Sequence, residues 1–225
     1  MNLKPLPRLG AAALAVVSLS AVLSACAPLV LGGAAVGTAL VATDRRSSGA
    51  QLDDQSIELR ASNRLRDQVG GRANVSVTSY NRQVLLTGEA NSEATRAEVE
   101  KIVAGVDNVR STVNEVKVMN TPPLSQRTSD TLITGRVKAG FVDARDLPVT
   151  AIKVTTTHGI VYLMGRVTQR EADRATEIAR NVDGVQRVVR IFEILTEEEL
   201  QRLAPAPAAQ PAPAAGTTPS AAPRQ

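Results

Sequence analysis

A single cysteine and a single histidine carry almost all the nucleophilic and imidazole chemistry that these 225 residues offer. Cys26 closes the run Leu23-Ser24-Ala25-Cys26 behind an apolar stretch, and as the only thiol it has no internal disulfide partner. His158 stands beside Gly159 between two β-rich runs. A turn residue that tolerates positive φ is the simpler reading there than a general base. Asp53-Asp54 and Glu197-Glu198-Glu199 read as a helix start and a solvated face, not as acid/base pairs. Zinc needs His, Cys and carboxylates that converge, and no such constellation is spaced along this chain. Gly32-Gly33 and Gly70-Gly71 are flexible joints, since neither follows a strand and opens a helix as a phosphate loop does. These residues argue against an enzyme, a metal centre and a bound cofactor.

The elements around them form a pattern that occurs twice. Val75-Ser-Val77-Thr-Ser-Tyr80 and Gln83-Val84-Leu85-Leu86-Thr87-Gly88 flank Asn81-Arg82, and Ile152-Lys-Val154-Thr-Thr-Thr157 and Ile160-Val161-Tyr162-Leu163-Met164-Gly165 flank His158-Gly159. Each is a predicted hairpin with a two-residue turn. An Ala-rich helical pattern and a third β-rich run follow each, through Val106-Asp-Asn-Val109 to Val118 and through Val182-Asp-Gly-Val185 to Ile194. The strands match at a spacing of 77 and the later parts at 76, which means a duplicated domain and not a solenoid array.

Hydrophobic residues make up 43% of the chain but aromatics only 2%, so the cores must be aliphatic. A module of this size buries only about 60% of its unfolded surface, and docking of the two would help both. The formal charge is +4, part of it from Lys4 and Arg8 in a segment expected to be removed. Residues 52–118 hold 9 basic and 10 acidic residues, whereas 127–195 hold 11 and 8, so the second module carries the basic surface. So weak a charge, with few stacking aromatics, is a poor nucleic-acid binder. An anionic membrane surface or an acidic protein face fits better.

Residues 1–25 form an export signal, with a short positive start and the apolar run Ala11–Leu23. Its end resembles the lipobox of bacterial lipoproteins, in which the cysteine is acylated and becomes the new N-terminus; the alternative is an ordinary signal peptide with an incidental Cys26. Several acyl chains anchor a protein durably where one does not. Ala27 resembles the residue that directs such proteins to the outer membrane. Residues 26–51 read as a membrane-proximal tether; the alternative of a second transmembrane helix needs a longer apolar span than 27–42 provides. The first module is expected over 52–118, a linker stiffened by Pro122-Pro123 over 119–126, and the second module over 127–196. A short acidic segment and an Ala/Pro-rich tail with too little to bury occupy 197–225.

Within the modules, Ile57, Ala61 and Leu65 give the first helix a buried stripe after an acidic start at Asp53-Asp54, and Ala94, Ala97, Ile102 and Val106 give the second helix its inner face. In the second module Thr168-Gln-Arg-Glu171 is a capping box, followed by the stripe Ala172, Ala175, Ile178, Ala179 and Val182. The helix expected to open at Asp130 has more apolar residues than one stripe requires, Leu132, Ile133, Val137, Phe141 and Val142, with Arg136 and Lys138 between them. Part of that helix is expected to face lipid; the alternative is that all five pack on the module's own sheet or on the first module. Gly135 and Gly140 each cost roughly 1 kcal/mol against Ala in a helix interior, which is easier to understand if the backbone approaches another surface closely.

The two copies resemble the BON domain. Val154, Gly159, Val161, Leu163, Gly165, Ala175, Ala179 and Val182-Asp183-Gly184-Val185 carry the resemblance; the first copy diverges, with Arg82 and Asn108 at two glycine positions. With Cys26, the Gly/Ala tether and Asp44-Arg45-Arg46, residues 1–196 resemble the dual-BON lipoproteins of the outer membrane. The resemblance implies an α+β fold of two tandem αββαβ modules, each a three-stranded mixed sheet packed on two helices. It also implies a non-catalytic protein, lipid-anchored through Cys26 in the outer membrane and facing the periplasm, that binds anionic phospholipid and supports envelope integrity. Carried onto this sequence, the lipid contacts are drawn from Leu132, Ile133, Arg136, Lys138 and Phe141. The competing reading is an adaptor that regulates cell-wall enzymes through envelope protein partners without recognising lipid.

Overall fold

The computed structural model describes residues 44–120 and 123–203. The export signal, Cys26, residues 27–43 of the expected tether and the Ala/Pro-rich tail from residue 204 lie outside the described residues, whereas residues 44–51, expected as the end of the tether, belong to the folded body, the first helix opening at Ser48. The first module runs α1 (Ser48–Gln68), β1 (Ala73–Tyr80), β2 (Gln83–Ala90), α2 (Glu93–Ala104) and β3 (Ser111–Val118). The second repeats it as α3 (Leu124–Asp143), β4 (Ile152–Thr157), β5 (Ile160–Val167), α4 (Gln169–Arg180) and β6 (Arg187–Ile194), and the acidic run forms a short α5 (Glu197–Leu203). In each sheet the middle strand pairs antiparallel with its hairpin partner and parallel with the strand that returns after the helix, giving the orders β1-β2-β3 and β4-β5-β6. This is the expected α+β architecture of two αββαβ units.

The hairpins turn where Asn81-Arg82 and His158-Gly159 adopt positive φ, between 50° and 70°. Arg82 is a poor residue for that conformation. A buried carboxylate stabilises the turn: Asp54 accepts from the backbone N–H of Asn81 and of Arg82, both at 2.7 Å. Asp130 does the same for His158 and Gly159, both at 2.8 Å. These aspartates are therefore turn anchors and not helix starts. α1 opens earlier, where Ser47 Oγ accepts from Ala50 N, and α3 opens directly after Pro123. Gly88 and Gly165 occupy matching strand positions where a Cβ would run into the carbonyls of Asn74 and Ala151, so the close approach of each hairpin requires glycine.

Each sheet packs one face on its own two helices. Ile57, Ala61 and Leu65 meet Val84, Leu86, Val99 and Val103 in the first module; Ile133, Val137 and Phe141 meet Val161, Leu163, Ala172, Ala175 and Ala179 in the second. The inner face of α2 is Thr95, Val99 and Val103, with Ile102 partly buried, while Ala94 and Ala97 are exposed. Alanine is compatible with either face, and the hydroxyl of Thr95 is satisfied by Asn91 at 2.8 Å, which lets a polar residue take the inner position.

The other faces of the two sheets pack on one another. Tyr80 and Leu85 of the first module form a buried cluster with Ile160, Tyr162, Met164 and Ile191 of the second. The chain's two tyrosines reach across in opposite directions, Tyr80 donating to the Ala151 carbonyl at 3.1 Å and Tyr162 to Glu115 Oε2 at 3.4 Å. Burial pushes both hydroxyls up to about 12, with Asp44 adding to the shift of Tyr80 and Glu115 to that of Tyr162, so both remain donors. Charged pairs rim this apolar contact: Lys153 to Glu58 at 2.7 Å, Arg187 to Glu115 at 3.1 Å, and Arg110 to Glu193 at 3.2 Å.

Candidate functional site

The buried stripe of α3 fixes what its opposite side shows. Ile133, Val137 and Phe141, four residues apart, lie on the sheet, together with Asp130. Thr134 donates to Thr156 of β4 at 2.7 Å. Near the far end of the helix, a Cβ at Gly140 would come within 2.9 Å of Ile178 Cγ2, so this glycine lets α4 close on α3.

Of the residues expected to touch lipid, Ile133 is 5% exposed and Phe141 is fully buried, both in the core of their own module. That corrects the sequence assignment for these two: the helix rotates them inward because they share a stripe with Val137. Leu132 is 56% exposed, and Arg136 and Lys138 are exposed with it. At 100° per residue, Leu132, Gly135, Ala139 and Val142 share the outward face, and Val142 is 64% exposed. Arg136 flanks this strip on one side, Lys138 and Arg127 on the other. Gly135 has no atom within 4 Å of a built Cβ, so its outer surface is open.

The electrostatics of this face come from what is not paired. Among the described residues, Arg127, Arg136, Lys138 and Arg145 make no ion pair. The acidic residues of the helix do not compensate them. Asp130 is buried on the hairpin turn, and Asp143 lies in the last turn. A strip of exposed aliphatic side chains between free cations can enter an interface whose inner layer is apolar and whose outer layer is anionic. Arg127 and Val142, which complete the strip, were not among the expected contacts; continuing the outward positions of the helix in both directions would have found them.

His158 occupies the turn, as its neighbour Gly159 suggests, with φ 53°. Its ring also crosses to the first module, Nε2 lying 2.9 Å from Oε1 of the buried Glu89. A cleft of about 380 Å³ opens beside it, lined by Asn74, Ser76 and Glu89 from one module and Arg127, Thr131 and Thr155 from the other. Cys26 lies outside the described residues. No described helix is long and apolar enough to cross a membrane.

Residues 53–120 and 129–195 each match the BON domain. The chain is 34% identical to "Outer membrane lipoprotein DolP" of Haemophilus influenzae over 198 residues, covering 87% of this chain and all of that protein. It is also 34% identical to "21 kDa hemolysin" of Actinobacillus pleuropneumoniae, covering 66% of this chain and 78% of that one. "Osmotically-inducible protein Y" of Escherichia coli is 33% identical, covering 62% and 72% respectively.

Proposed function

This chain belongs to the BON-domain family and is a DolP-like lipoprotein of the outer membrane, and from that premise we propose that it binds anionic phospholipid through the outer face of α3. The observation that carries the reading is the strip Leu132, Gly135, Ala139 and Val142 bounded by the unpaired cations Arg127, Arg136 and Lys138. In this reading Leu132 and Val142 enter the acyl boundary, the cations meet phosphate, and Ile133 and Phe141 hold the helix on its sheet. Cys26 supplies the acyl anchor and keeps the face near the periplasmic leaflet, where even weak binding is effective because the second contact is intramolecular. The protein acts without catalysis, and its service to the envelope is to hold two packed modules against lipid. Co-sedimentation of residues 44–203 with vesicles of phosphatidylcholine alone or with phosphatidylglycerol tests this apart from the anchor. Binding to the anionic vesicles that weakens with salt is expected. Absence of binding to both would leave all membrane affinity to Cys26 and favour an adaptor of envelope proteins.

A further inference from the structure

The three residues that precede Ser47, the cap of α1, are held at the junction of the modules, and neighbouring arginines grip opposite sides of it. Arg45 turns to the second module. Its Nη1 and Nη2 fork onto Glu171 at 2.6 and 2.8 Å, and Nη1 also donates to the Arg166 carbonyl at 3.0 Å. Arg166 reciprocates through Nη1 to the Arg45 carbonyl at 2.9 Å. Arg46 turns to the first module, donating to Asp54 Oδ2 at 2.8 Å with its guanidinium 4.3 Å from the centre of the Tyr80 ring. Asp44 holds the rest of that guanidinium at 3.1 and 2.7 Å.

These contacts differ in kind from the surface ion pairs elsewhere on the molecule. The side chains of Arg45 and Glu171 are 12% and 8% exposed, those of Arg46 and Asp54 16% and 3%. Desolvated pairs such as the bidentate Arg45–Glu171 and the single Arg46–Asp54 contact are strong and directional, and removing one partner leaves an uncompensated buried charge. Both carboxylates also serve their own modules. Glu171 closes the capping box of α4 with Thr168, and Asp54 anchors the Asn81-Arg82 turn.

We propose that Asp44-Arg45-Arg46 is a staple that locks the two modules into their docked arrangement, so that the packing of sheet on sheet depends on the segment through which the tether joins the body. Two consecutive residues whose side chains hold different modules leave little freedom for one module to rotate on the other. The proposal does not rest on lipid binding.

Methyl NMR on the full chain in lipid nanodiscs tests it, comparing the native sequence with R45A/R46A. The cross-module contacts of Leu85 with Ile160, Met164 and Ile191 are expected to be lost in the variant. Contacts inside each module, Val84 with Val103 and Val161 with Val137, and amide protection in β2 and β5, are expected to persist. Retention of the cross-module contacts would overturn the proposal, because the sheets would then dock unaided. Loss of protection within β2 and β5 would also overturn it, by assigning the arginines to the fold of each module.

Discussion

The first helices of the two modules are the same helix on the inside and different helices on the outside. At a spacing of 76, Asp54, Ile57, Ala61 and Leu65 of α1 correspond to Asp130, Ile133, Val137 and Phe141 of α3, and every one of the eight is buried. The outward positions Ser56, Leu59, Arg60, Ser62, Asn63 and Arg66 correspond to Leu132, Gly135, Arg136, Lys138, Ala139 and Val142. Arg60 is paired with Asp107 at 3.2 Å, but Arg136 makes no pair although Asp183 stands at the corresponding position. A half-exposed pair contributes little stability, so its relevance lies in charge compensation. Duplication kept the contacts that fold a module and changed those that face outward: α1 also exposes Leu52 and Leu59, but beside the paired Arg60, whereas the apolar strip of α3 is flanked by the unpaired Arg136 and Lys138.

The inward half of this comparison breaks first in stability. F141A opens a large cavity in the second core and is expected to cost about 3–5 kcal/mol, read as a fall in the denaturant midpoint. L65A is expected to cost about 2–5 kcal/mol in the first module for the same reason. A loss below about 1 kcal/mol for F141A would return Phe141 to the surface role that its sequence position suggested. The outward half breaks in binding instead. A basic residue near an anionic surface is worth about 1 kcal/mol, so R136E/K138E should weaken binding to phosphatidylglycerol vesicles at least roughly thirtyfold at unchanged stability. R60E/S62E, at the corresponding positions of α1, should leave binding as it was. Equal losses from both double variants would place the contact outside α3.

The repeats, the hairpins, the capping box and the α+β plan were legible because local chemistry determines them: a two-residue turn, an alternating strand and a Thr-x-x-Glu tetrad need no distant partner. The starts of α1 and α3 were not, because Asp54 and Asp130 resemble N-terminal acids until the hairpin turn they anchor is brought beside them. Five apolar residues on α3 were correctly too many for one stripe. Which of them faced inward depended on the phase of the helix, and that phase is set by Ile133, Val137 and Phe141 together. Docking of sheet on sheet left a trace in the uninterrupted apolar runs Val84-Leu85-Leu86 and Ile160–Met164, the pattern of strands buried on both faces. The staple was not legible as one: Asp44-Arg45-Arg46 entered only as part of the family resemblance, and Glu171, the partner of Arg45 that makes it a link between modules, lies far along the chain.

Acid should act chiefly where the two modules meet, because Glu98, held low by Arg72 on the outside of the first module, is solvent-exposed and its pair contributes little to stability. Burial pushes the Glu171 carboxyl up, but the Arg45 guanidinium and the Thr168 N–H outweigh it, and its value is lowered from 4.5. Burial likewise pushes the Glu193 carboxyl up, but Asn81, Arg166 and Arg110 outweigh it, and its value is lowered as well. A carboxyl lowered in the folded state adds stability above its unfolded value and loses it as the pH falls through the lowered one. The cross-module contacts should therefore persist at neutral pH and weaken below about 4.5, before the cores unfold, with a midpoint loss smaller than that of F141A. Methyl spectra recorded along an acid titration check the order; simultaneous loss of cross-module and intramodule contacts would remove these two carboxylates as its cause.

The smallest expected effect separates two glycines of one helix. At Gly140 a methyl would meet Ile178 Cγ2 at 2.9 Å, so G140A must displace a side chain between α3 and α4 and forfeits much of its gain in helix propensity. At Gly135 the space is empty, and G135A should stabilise the second module by about 1 kcal/mol, because an exposed Gly in a helix interior is that much worse than Ala. α1 carries Leu59 at the corresponding position, so nothing in the fold requires glycine there. What remains is the surface that α3 meets. If lipid meets the bare backbone between Leu132 and Ala139, G135A should raise the melting temperature and weaken anionic vesicle binding. If affinity is untouched, the proposed contact rests on the flanking cations and Leu132, and Gly135 is only an open position on that face of the helix.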